Sequence, residues 1–142
     1  MHKLILALSF STLAGVCAAD AQAQGQTPVT PPAASAAVPS AAALVGTWKV
    51  DLRTLPTAEP YYQQLVVTSV AESGKTFTGT FYGAPVTQAR INVAWGAVRI
   101  AFVTADGSGP YNHSAVLVGS QLQGLTNATG RDFLSYWSAV RE

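Results

Sequence analysis

The chain has 142 residues, of which 49% are hydrophobic and 11% charged, and its formal net charge is +1. No cluster of lysine or arginine forms an electrostatic footprint, which sets a nucleic-acid partner aside. Cys17 is the only cysteine, so an internal disulfide and a cysteine-built zinc site are both excluded.

Residues 1–23 read as a secretory signal peptide. Met1-His2-Lys3 is a short basic start, residues 4–19 are apolar, and Ala21 and Ala23 put small residues at −3 and −1 of a cut after Ala23. The apolar run is shorter than the roughly 20 residues that span a bilayer, so the expected mature form has no membrane span. Val16 precedes Cys17 where a lipoprotein signal needs a small residue, which argues against lipidation. The expected location is periplasmic or extracellular.

Residues 24–43 read as a disordered Ala/Pro-rich linker. They hold four prolines and neither a charge nor an aromatic ring, so they have little to bury against the entropy of ordering. The prolines also argue against the competing Ala-rich helix.

From residue 44 to the end the sequence has one rhythm. Short runs of alternating apolar and polar residues are closed by turns containing Gly, Pro or Asp, which signals an all-β sandwich or barrel. The first predicted strand covers 45–53, with Trp48, Val50 and Leu52 on one face. The second covers 62–71 and is joined by a tight Glu72-Ser73-Gly74-Lys75 turn to the third, 76–82, with Phe77, Gly79 and Phe81 on one face. Gly83-Ala84-Pro85 ends that strand. The fourth (87–93) and fifth (97–104) meet near Trp95-Gly96, and Asp106-Gly107-Ser108-Gly109-Pro110 is the clearest turn of the chain. The sixth (111–118), seventh (121–126) and eighth (133–141) complete the set. No window shows helical periodicity with caps.

Eight strands joined by short turns imply a meander, and pairing the first strand with the eighth hides both edges. The expected fold is therefore an eight-stranded antiparallel up-and-down barrel over 44–142, with a two-sheet sandwich as the alternative. Eight strands leave an interior that side chains just fill or that holds one small ligand.

Gly46-Thr47-Trp48 at the head of the first strand resembles the G-x-W opening of lipocalins and their relatives. In that superfamily the tryptophan plugs one barrel end under a basic residue near the last strand, and Arg141 stands at the matching place. Thr78-Gly79-Thr80-Phe81 is similar to the T-G-T-Y step of the avidin family. The resemblance implies a calycin-like barrel. It does not imply biotin binding, because Lys49-Val50-Asp51 stands where the avidins have their ligand-binding Asn and Ser. The helix that lipocalins carry before the last strand is missing as well.

His113 is the only histidine beyond the leader, with Asp106, Ser108 and Ser114 near it in sequence. Strand neighbours point to opposite faces, so His113 and Ser114 do not meet, and no nucleophile elbow is present. His113 therefore reads as a half-exposed residue of a polar strand. The six scattered acids of the domain form no recognisable catalytic pair, and Asp106-Gly107-Ser108-Gly109 reads as a turn, short of the carboxylates a calcium loop needs. Asn112-His113-Ser114 and Asn127-Ala128-Thr129 fit the glycosylation sequon, which matters only in a eukaryotic secretory pathway. No motif points to a cofactor or a metal.

Aromatic residues are the stronger functional signal. Most belong to the core, but Tyr62, Trp95 and Tyr111 fall at strand ends beside Arg90, Asn112 and Arg131. These six are the expected ligand-binding residues of a barrel mouth. The expected function is non-catalytic binding of a small apolar or heterocyclic ligand. An envelope-associated structural or protein-interaction module, or a small hydrolase using His113, are the alternatives.

Overall fold

A computed structural model describes residues 39–142. The expected signal peptide, Cys17 and all of the expected linker up to residue 38 lie outside them. The last part of that linker is folded, contrary to expectation. Ser40 caps a 3-10 turn at Ala41–Leu44, its hydroxyl accepting from the Ala42 N–H, and Leu44 is fully buried. Leu44 supplies the apolar anchor that orders the alanines before it.

The described residues form nine strands: β1 (Gly46–Asp51), β2 (Tyr62–Val70), β3 (Phe77–Phe81), β4 (Ala84–Pro85), β5 (Thr87–Asn92), β6 (Arg99–Asp106), β7 (Gly109–Val118), β8 (Gln121–Ala128) and β9 (Phe133–Arg141). They make one antiparallel sheet in the order β4-β3-β2-β1-β9-β8-β7-β6-β5, a nearly closed barrel and not two sheets. The eight expected strands are all present. The ninth is the two-residue β4, which folds back on β3 through Tyr82-Gly83, both at positive φ.

The first and last long strands pair as the meander requires, Trp48 opposite Arg141 and Val50 opposite Ala139. The expected full closure is not reached. The seam between β3 and β5 carries isolated hydrogen bonds only: Val86 N–H to Gly79 O (2.9 Å), Ile91 N–H to Lys75 O (2.9 Å) and the Thr76 hydroxyl to Ala89 O (3.0 Å). The causes are local. Pro85 has no N–H to donate, and an irregularity between Thr87 and Arg90, with Gln88 at φ 50°, breaks the register of β5.

Alternation sets the inner face. Trp48 and Val50 of β1, Leu65 and Val67 of β2, Phe77 and Phe81 of β3, Ile100 and Phe102 of β6, Leu122 of β8 and Trp137 and Ala139 of β9 form the core. Two glycines on this face are space requirements. A Cβ on Gly124 would lie 2.3 Å from Trp137 Cζ2, its cross-strand partner, and one on Gly79 would lie 1.9 Å from Val66 O.

The two barrel ends differ. At the end where β1 begins and β9 finishes, Trp48 Nε1 donates to Leu44 O (2.8 Å). The Arg141 guanidinium lies 4.4 Å from the Trp48 ring centroid and donates to the carbonyls of Val45 (2.6 Å) and Ala43. Trp48 is buried, so this end is plugged.

Candidate functional site

The opposite end is open. There the connections after β1, β3, β6 and β8 surround a cavity of about 540 Å3 that reaches into the barrel. Three buried polar side chains lie along it: Thr104 of β6, His113 of β7 and Thr126 of β8. His113 and Thr126 are directly opposite across two strands, and Thr104 stands two residues beyond Phe102, the β6 partner of His113.

His113 is 4% exposed, not half-exposed as its sequence neighbours suggested. Strand alternation puts Tyr111, His113 and Ala115 on the inner face and Asn112 and Ser114 outside. Its Nε2 is 2.8 Å from Thr104 Oγ1 and its Nδ1 is 2.8 Å from Thr126 Oγ1. Phe102 stacks on the ring, and Phe81 lies 4.5 Å from it, centroid to centroid. Burial among these groups holds the imidazole neutral, with its pKa pushed down to about 4.

The rim is aromatic and charged. Tyr61 and Tyr82 pair through their hydroxyls, their rings edge to face at 6.1 Å, and that hydrogen bond raises the Tyr82 phenol above its ordinary pKa. Across the mouth the Arg131 guanidinium donates to the Tyr111 hydroxyl, which donates to Asp106 Oδ2 (2.9 Å). Asp106 also accepts from the Ser108 N–H (2.7 Å). That bond, with the Tyr111 bond second, holds its carboxyl below the usual range. Arg131 further lies over the rings of Tyr111 (5.1 Å) and Phe133 (5.5 Å).

The six expected site residues are not brought together. Tyr111 and Arg131 line the cavity. Tyr62 belongs to the open end but faces outward, under Lys49 Nζ at 4.1 Å, and its neighbour Tyr61 lines the cavity in its place. Asn112 also faces outward, for the alternation that turns His113 in. Arg90 and Trp95 lie toward the plugged end, where Trp95 is 88% exposed on a tight turn at φ 69°. Arg90 borders a larger recess there, about 1000 Å3, whose polar side chains are all solvent-exposed.

No known protein family, curated protein or solved structure matches the chain.

Thr104 and Thr126 carry no motif of their own, and His113 reads in the sequence as a half-exposed residue of a polar strand and not as a site residue. The signal was there in the alternations Ile100-Phe102-Thr104, Tyr111-His113-Ala115 and Leu122-Gly124-Thr126, each carrying an apolar inner face into a polar end. Among the described residues no cluster of three or more His, Cys, Asp or Glu is placed to hold a metal ion. No described helix is long and apolar enough to cross a membrane.

Proposed function

We propose that this is an exported, calycin-like domain that binds one small, planar, largely apolar or heterocyclic ligand in the open-end cavity, without transforming it. The observation that carries the reading is the buried Thr104–His113–Thr126 set inside a cavity walled by Phe81, Tyr111 and Phe133. Elsewhere the barrel fills its interior with apolar side chains. Burying an imidazole and two hydroxyls costs free energy that apolar residues of the same volume would not. A cavity of about 540 Å3 lies in the range of small-molecule sites, which combine apolar walls with a few placed polar groups.

The hydrolase reading is the weaker one. Both ring nitrogens of His113 face threonine hydroxyls, and the nearest acid along the strand pair, Asp106, is engaged at the rim by Ser108 and Tyr111. An imidazole this weakly basic is poorly matched to a general base at neutral pH. Export is supported by the leader-like residues 1–23, and the calycin-like reading by Arg141 over Trp48.

A thermal-shift screen of planar heterocycles tests the proposal, with Ser135→Trp as the variant that fills the cavity from β9. Ligands that raise the wild-type melting temperature should fail to raise that of Ser135→Trp. Turnover of a screened compound, lost in His113→Ala, would replace the binding reading by the catalytic one.

A further inference from the structure

The hydrogen bonds of the cavity floor have a fixed arithmetic. A neutral imidazole offers one N–H and one bare nitrogen, and a threonine hydroxyl offers one hydrogen and two lone pairs. His113 contacts one hydroxyl at each nitrogen, so one threonine donates into the ring and the other accepts from it. The accepting threonine keeps its own hydroxyl hydrogen. The donating threonine keeps its lone pairs. Neither hydroxyl has another hydrogen-bond partner among the described residues. Moving the ring hydrogen from Nδ1 to Nε2 exchanges the two roles. In either tautomer the floor therefore presents one spare hydroxyl hydrogen, on the threonine that accepts from the ring, beside a threonine that offers lone pairs alone.

The floor carries no charge. Its surroundings are Phe81, Phe102 and Tyr111, and the nearest ionised groups, Asp106 and Arg131, are tied to Tyr111 at the rim. A carboxylate or ammonium driven to the floor would lose its hydration with no counter-ion to meet it.

We propose that the inner end of the cavity recognises an uncharged head group with a hydrogen-bond acceptor beside a donor, the chemistry of a lactam or other amide-like heterocycle, and that the His113 tautomer selects which threonine supplies the donor. This rests on the cavity being the ligand site and adds to it the class of ligand and the means of reading it. A spare hydroxyl hydrogen in a buried site left unmatched is costly, so an apolar ligand of the same shape is disfavoured.

The test compares three bicyclic probes of similar size by calorimetry on the purified protein: oxindole, a lactam; indane, its apolar counterpart; and indane-2-carboxylate, an anion. Oxindole should bind at least about tenfold tighter than either of the others, the scale of one net hydrogen bond. Thr104→Val/Thr126→Val should level oxindole with indane, and Thr104→Ser/Thr126→Ser, which keeps both hydroxyls, should restore the preference. Because the valine variant leaves His113 without partners and can unfold, nitrogen-15 NMR of the His113 ring in the wild-type protein gives a second reading. Oxindole should move the Nδ1 and Nε2 resonances in opposite directions, as a tautomer shift does, and indane should not. Equal affinity for oxindole and indane, or tightest binding of the carboxylate, overturns the ligand class and leaves the cavity reading standing. Failure of all three to bind or to shift any cavity resonance overturns both.

Discussion

Phe102 lies flat on His113, with ring centroids 4.6 Å apart and planes 22° from parallel, from directly opposite positions on β6 and β7. Phe81 and Tyr111 also lie against the same imidazole, at 4.5 and 6.4 Å between centroids, and the two threonine hydroxyls take its nitrogens. This packing favours the neutral ring and gives the fold a pH dependence of known sign. The unfolded chain takes up a proton near pH 6.5, which the folded chain refuses down to about pH 4. Stability is therefore unaffected above this window and falls as pH drops through it, by about 3 kcal/mol in all at 1.36 kcal/mol per pH unit. Urea unfolding at intervals between neutral pH and pH 4 should show the loss in the wild type and a flatter profile in His113→Phe. The lowered carboxyls of Asp51 and Asp106 act only at more acid pH, below their ordinary 3.8.

Arg141 and Trp48 close the other end, and their loss should be felt in stability alone. Arg141→Ala removes two hydrogen bonds to carbonyls and the cation over the indole, a loss of about 2–3 kcal/mol. Arg141→Lys should recover only part, because an ammonium lacks the fork that reaches Val45 and Ala43 together. Trp48→Ala should cost about 3–5 kcal/mol, as for other buried aromatics. Denaturation midpoints check all three.

Gly124→Ala tests the packing of the inner face. The new methyl would meet Trp137 Cζ2 at 2.3 Å and the Ser114 carbonyl oxygen at 2.7 Å, and Trp137 is fully buried. Backbone on one side and a locked indole on the other leave no cheap relaxation, so a loss of about 1–3 kcal/mol is expected. Gly107→Ala is the matched control. Nothing lies within 4 Å of its Cβ position, and its midpoint should stay within about 0.5 kcal/mol of wild type.

Much of this fold was legible because alternation and turns are local. Trp48 and Val50 face inward as the period of two requires, and Gly74, at φ 65°, makes the turn expected between β2 and β3. The incomplete closure was not legible. It depends on how a short Pro85 strand and the irregular Gln88 region sit beside β3, and neither leaves a periodic trace. The site was legible in part. Strand ends are visible in sequence, but which of two barrel ends a turn belongs to follows from counting strands up and down. Tyr111 and Arg131 were chosen with Trp95 and Arg90, which that count puts at the other end. Tyr62 and Asn112 were each one residue off the inner face, and one residue reverses a strand side chain.

The rim gives a prediction that separates the two ends. Tyr111→Ala removes a cavity wall together with the hydroxyl linking Arg131 to Asp106. It should weaken binding of a cavity ligand by about tenfold, while the exposed rim limits the change in stability. Trp95→Ala alters a side chain that is 88% exposed at the plugged end, and ligand affinity and melting temperature should both stay at wild-type values. Isothermal titration of the two variants side by side makes the comparison.

The most direct test of the account is calorimetric titration of a ligand selected by thermal shift into wild-type protein and into Ser135→Trp, whose indole would occupy the cavity beside His113 and Phe133. The account predicts saturable one-to-one binding to the wild type and none to a Ser135→Trp protein that still unfolds cooperatively. Undiminished binding to that folded variant would contradict it, because the ligand would then sit somewhere other than the open end of the barrel.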